Sequence, residues 1–150
     1  MTSPRETKLN ILLVEDNVGD VFLFREALSS AGLNCELTVI SDGAEALEFV
    51  NNAARSTGIP DLAVLDLNLP KVEGTEVLEA IRSNSELSHI PVAVMTSSPS
   101  PRDRARAVQL GAKRFITKPL DLEEFLHIGI VLRDLLAESR SEECSTPPAA

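Results

Sequence analysis

Apolar residues in this chain fall into two alternating patterns. Short runs rich in apolar residues occupy 9–14, 35–40, 63–65, 90–95 and 113–117, and between them apolar residues recur every three or four positions. Apolar runs of that length, closed by Pro, Gly or Asp, read as strands of a sheet buried on both faces, and the three-to-four spacing reads as amphipathic helix. Asn17 is placed to cap a first helix that ends near Ala31 at Gly32, with Val21, Phe24, Ala27, Leu28 and Ala31 on one face and Phe22 turned outward. Further helices are expected over residues 44–54, from just before Gly74 to 83, over 102–110 up to Gly111, and from a cap at Asp121 to about Glu138. Strand and helix thus alternate five times. Right-handed crossovers then favour a three-layer α/β sandwich of the flavodoxin-like, doubly wound kind, a parallel sheet in the order 2-1-3-4-5. Ligands bind such sheets at the carboxyl ends of the strands, beside the switch between the first and third.

The chain of 150 residues, 43% of them hydrophobic, suits one domain with a real core. Residues 1–8 read as a polar lead, 9–138 as the domain, and 139–150, with Pro147-Pro148 and no apolar period, as a disordered tail. A formal charge of −9 argues against a nucleic-acid surface, and the group Arg102, Arg104 and Arg106 reads as a solvated helix face. With no apolar run near the ~20 residues that span a bilayer and no signal-peptide pattern, a cytoplasmic protein without membrane contact is expected. Cys35 and Cys144 are expected as free thiols.

Charge changes this picture at one edge. The first strand runs into Glu15-Asp16, the third delivers Asp66, the fourth ends at Thr96, and the fifth runs into Lys118-Pro119. If the strands are parallel, three carboxylates and an ammonium converge. Crowded carboxylates share protons or hold a cation, and oxygen donors without paired His or Cys suit Mg²⁺ rather than zinc. Asn68, two residues beyond Asp66, can add its backbone carbonyl as a ligand. Beside a cation and Lys118, Asp66 can also act as a nucleophile that accepts a phosphoryl group, with Mg²⁺, Lys118 and the Thr96 hydroxyl each taking one of its oxygens.

Glu15-Asp16, Asp66, Thr96 and Lys118-Pro119, in this order and on these strands, resemble the receiver domain of two-component response regulators from about Leu9 to Glu138. Residues 11–17, 66–71 and 116–121 resemble the stand-alone regulators paired with bacterial and cyanobacterial phytochromes. Val72-Glu73-Gly74 departs mildly from the Met-Asp-Gly of many relatives. The resemblance implies that a sensor histidine kinase, in this subgroup a bacteriophytochrome, donates a phosphoryl group to Asp66. It further implies that Glu15, Asp16, Asp66 and the Asn68 carbonyl hold Mg²⁺, that the Lys118–Pro119 bond is cis, and that Phe115 is the aromatic switch partner of Thr96. The protein would be a phosphorylated switch rather than an enzyme, while assisting its own phosphorylation and dephosphorylation.

In the last helix Leu122, Phe125, Gly129, Leu132 and Leu136 form a stripe that should face the sheet, and Ile128, Val131 and Leu135 widen it along one flank. No output segment is expected after Glu138. The flank therefore predicts a homodimer through the last helix, the fifth strand and the fourth helix. Phe22 is a candidate kinase contact. Two other functions fit parts of the pattern. A Mg²⁺-dependent phosphatase or phosphotransferase acting on a small molecule through an aspartyl phosphate lacks a general acid, because Asn68 stands where an Asp would serve. An unphosphorylated scaffold would leave the acidic constellation without a use.

Overall fold

The structure is a computed structural model that describes residues 8–52, 59–69, 72–97 and 100–145. The elements alternate as expected: β1 (Leu9–Val14), α1 (Val18–Ser30), β2 (Cys35–Ile40), α2 (Gly43–Asn52), β3 (Leu62–Asp66), α3 (Gly74–Ser83), β4 (Val92–Thr96), α4 (Pro101–Gln109), β5 (Arg114–Thr117) and α5 (Leu122–Ser145). One five-stranded sheet has the order β2-β1-β3-β4-β5, and every pairing is parallel. Most of the expected lead (residues 1–7), much of the loop after α2 (53–58), Pro70, Lys71 and residues 146–150 of the expected tail lie outside the described residues.

Alternation along the strands divides the core in two. Leu12, Val14, Ala63, Leu65, Val92 and Val94 face α2, α3 and α4, meeting Ala46, Val50, Leu78, Ile81 and Ala107. Ile11, Leu13, Val64, Ala93 and Met95 face the opposite way, toward Phe24 and Leu28 of α1 and Phe125, Ile128 and Leu132 of α5. The central strands are covered on both sides, which is why their runs show no polar interruption. The edge strand β2 is only half-buried and does alternate.

The helix ends follow local chemistry. The Asn17 side chain accepts from the Asp20 N–H at 2.9 Å, and Ser100 and Asp121 cap α4 and α5 through the N–H groups of Asp103 and Glu124. Gly32 and Gly111 follow α1 and α4 with φ of 77° and 85°, a conformation that glycine adopts without strain.

Three expectations about α5 and its approach change. The helix continues past Glu138 to Ser145, so residues 139–145 are helical rather than part of a disordered tail; they contain no Gly or Pro, and Pro147 comes only afterwards. Leu122 is exposed rather than turned to the sheet, while Ile128 and Leu135 are buried. The helix packs on the sheet alongside α1, so of the expected flank Ile128 and Leu135 are internal and Val131 stays half-buried. The Lys118–Pro119 bond is trans, like every other described peptide bond. With the Lys118 N–H held by the Thr96 carbonyl at 2.8 Å, the trans chain already delivers its ammonium to the sheet edge.

Candidate functional site

The register of the sheet builds the site. Val14 pairs with Leu65 across β1 and β3, Asp66 with Met95 across β3 and β4, and Thr96 with Thr117 across β4 and β5. The next residues of β1 and β5, Glu15 and Lys118, therefore leave the sheet at the level of Asp66 and Thr96. Backbone bonds carry the ladder past the strand ends, from Glu15 N–H to Ile40 and from Leu67 N–H to Met95, each at 2.9 Å. These ties give a charged cluster a rigid base.

Lys118 is the hub. Its Nζ lies 2.7 Å from Glu15 Oε1, 2.8 Å from Asp20 Oδ2 and 3.0 Å from Asp66 Oδ2. Asp66 Oδ1 accepts the Asn68 N–H at 2.9 Å, and Glu15 Oε2 accepts the Asn17 N–H at 3.0 Å. The Asn68 amide donates to the Thr96 hydroxyl oxygen at 2.9 Å. Glu15, Asp66 and Thr96 are buried polar residues; Asp16 and Asn68 are exposed at the rim. The fold thus brings together Glu15, Asp16, Asp66, Asn68, Thr96 and Lys118.

Phe115 stands apart from this cluster. It is half-buried on the α4 side of the sheet, with the Arg104 guanidinium 5.4 Å above its ring. Arg104 was expected only as part of a solvated face; it also covers the aromatic residue by a cation–π contact.

The charges do not balance. Burial pushes the Glu15 carboxyl up to about 7, assisted by the nearby Asp66 carboxylate and opposed by Lys118 and the Asn17 N–H. Burial alone would lower the Lys118 ammonium, yet its close pairing with the Asp20, Glu15 and Asp66 carboxylates outweighs that and holds it above the ordinary lysine range. The two partners of one ion pair are therefore affected in different ways. Lys118 has anions on several sides, whereas Glu15 shares a single ammonium with two other carboxylates.

One oxygen from each of Glu15, Asp16 and Asp66 lies within 4.8 Å of the others, a spacing at which they could hold a metal ion. Glu15 Oε1 is buried, and although it is ion-paired to Lys118 it has no directional hydrogen-bond donor among the described residues. An incompletely satisfied carboxylate within a hard oxygen donor set fits a divalent cation.

Sequence reasoning missed Asp20. Its signal was local: an acid in the first turn of the helix capped by Asn17, which points back toward the strand ends. Only the packing of α1 beside the end of β5 shows that it meets Lys118.

A model of the response regulator receiver domain matches residues 11–128. The chain belongs to that family of two-component signalling proteins. It is 37% identical over 116 residues to the response regulator Rcp1 of Synechocystis sp., a match covering 76% of this chain and 79% of that protein. The phosphorylated cyanobacterial phytochrome response regulator RcpA superposes with a TM-score of 0.79 at 33% identity, covering 95% of this chain and all of that one. The Mn²⁺-bound form of Rcp1 superposes at 0.70, also 33% identical, covering 94% and 99%.

Proposed function

We propose that this protein receives a phosphoryl group on Asp66 from a sensor histidine kinase and passes the signal on by changing its protein contacts. The observation that carries the reading is the setting of Asp66, a buried carboxylate at the end of β3 with Lys118 on one oxygen and the Asn68 N–H on the other. An Asp66 oxygen attacks the phosphorus of a phosphohistidine; the new O–P bond forms as the P–N bond breaks, and the imidazole nitrogen keeps the electron pair and takes up a proton. Lys118 is then placed to shift from Asp66 Oδ2 to a phosphoryl oxygen, and Thr96 to donate its hydroxyl to another.

Glu15, Asp16, Asp66 and the Asn68 carbonyl are the candidate ligands for Mg²⁺, which would neutralise charge on the transferring group. The Thr96 hydroxyl oxygen accepts from Asn68 before the transfer, so its movement requires that contact to rearrange. Phe115 and Arg104 lie on the neighbouring face, where they can respond by changing rotamer.

A protein donor is supported by the surroundings of the site. Val18 and Phe22 on α1 and Leu120 and Leu122 after β5 are exposed, and the Asp20–Lys118 bond joins the two segments that carry them. Apolar side chains around a charged centre suit docking of a kinase domain. Likeness to Rcp1 and RcpA supports a phytochrome-type kinase, and that partner implies a cytoplasmic setting. Among the described residues no helix is long and apolar enough to cross a membrane. Action on a small phosphate ester is disfavoured, because Asn68, whose amide is engaged with Thr96, cannot supply a proton.

Intact mass after incubation with a small acyl phosphate tests the reading. A single phosphoryl adduct is expected that requires Mg²⁺ and disappears in Asp66→Asn. An adduct that survives the substitution, or none on the folded parent with Mg²⁺ bound, would rule the reading out.

A further inference from the structure

Asp20 is absent from the acidic group that can hold a cation, yet it makes one of the closest contacts to the Lys118 ammonium, at 2.8 Å. An ammonium has three N–H donors, and here Glu15, Asp20 and Asp66 crowd around them. Two of those carboxylates are also candidate metal ligands. Asp20 alone is free of that second duty. Its backbone is fixed by the bond from its N–H to Asn17, so its side chain can be changed without removing the helix cap.

The geometry points to Asp20 as a positioning residue for Lys118, one that keeps the ammonium beside Asp66 while Glu15 and Asp66 turn to a divalent cation. The inference rests on the receiver reading. Without Asp20, the ammonium finds its counter-charge only on carboxylates that the cation also needs, so the two positive centres compete for the same oxygens. With Asp20, an anion outside the metal group compensates Lys118. Glu15 and Asp66 are then freer to bind the cation, and the ammonium stays within reach of a phosphoryl oxygen on Asp66.

The parent, Asp20→Asn, Lys118→Ala and the double variant form a cycle, read by calorimetric Mg²⁺ affinity and by the rate of adduct formation from a small acyl phosphate at saturating Mg²⁺. Asp20→Asn is expected to weaken Mg²⁺ binding about fivefold and slow adduct formation about tenfold. On the Lys118→Ala background the same change should shift either quantity by less than about twofold, because the effect runs through the ammonium. Equal shifts on both backgrounds would mean a general field or folding effect and would overturn the inference, as would no shift in the parent. Asp20→Ser, which keeps a residue suited to a helix start, replaces Asp20→Asn in the cycle should that variant fold poorly. A parent that takes no phosphoryl group overturns the receiver reading itself; a phosphorylated parent matched by its Asp20 variant overturns only the role of Asp20.

Discussion

Glu15, almost fully buried, lies where the demand for positive charge exceeds what one lysine supplies. Its folded pKa of about 7 stands above its ordinary 4.5, so between those values the folded state holds a proton that the unfolded chain has lost. Stability should then fall as pH rises from about 4.5 toward 7 and stay low above it. Glu15→Gln keeps the shape and removes the titration. In chelator at pH 8 it is expected to stabilise the fold by on the order of 1–3 kcal/mol, with much of that gain gone at pH 5. Thermal unfolding followed by circular dichroism checks this, and an advantage independent of pH would contradict it. Residue identity announced Glu15, Asp16, Asp66, Thr96 and Lys118, because each is a polar group in a place where an apolar strand or its end has no structural need of one. Asp20 was less legible. An acid in the first turn of a helix is ordinary chemistry, and only its neighbour across the fold makes it unusual.

Among the helices, α1 and α5 pack backbone to backbone at Gly129. A Cβ at Gly129 would strike the Ala27 carbonyl, 2.7 Å from its carbon, so glycine lets the two backbones approach. Ala is the better helix former by about 0.8–1 kcal/mol, which favours Gly129→Ala; overpacking against a backbone group costs about 1–3 kcal/mol. The clash should win. We expect Gly129→Ala to lower the urea midpoint with the slope unchanged, and a midpoint at or above the parent's would show that the helices can separate at little cost. The starts of α1 and α5 were readable because Asn17 and Asp121 act within one turn. The end of α5 and the fate of its flank were not. The flank depends on what α1 covers, whereas the end of α5 follows a stretch free of Gly and Pro up to Pro147. Arg82 makes a similar case: its guanidinium donates to the carbonyls of Ser88, Ile90, Leu110 and Gly111, tying α3 to the loops before β4 and β5, yet nothing around it in the chain marks it as more than a helix-end arginine.

At the scale of the molecule, the carboxylate cluster links metal binding to folding. The unfolded chain has no preformed group of three carboxylates, so a cation that binds the cluster stabilises the folded state, by about 2.7 kcal/mol at a hundredfold excess over Kd. Mg²⁺ should therefore raise the thermal midpoint and excess chelator should reverse the rise, with the increment greatly reduced in Asp66→Asn. An equal increment in that variant would place the ion elsewhere. The sequence by itself determined the alternation of strand and helix, the layering of the sheet and the residues that meet at its carboxyl edge, since buried strands, helix caps and turn glycines are short-range choices and parallel crossovers leave few topologies. Only the tertiary structure decided that Asp20 shares Lys118, that Ile128 and Leu135 lie inside rather than on a free flank, and that Lys118 reaches the site through a trans peptide. These are contacts between segments far apart in the chain, and their geometry depends on how tightly α1, α5 and the end of β5 pack, which no local pattern specifies.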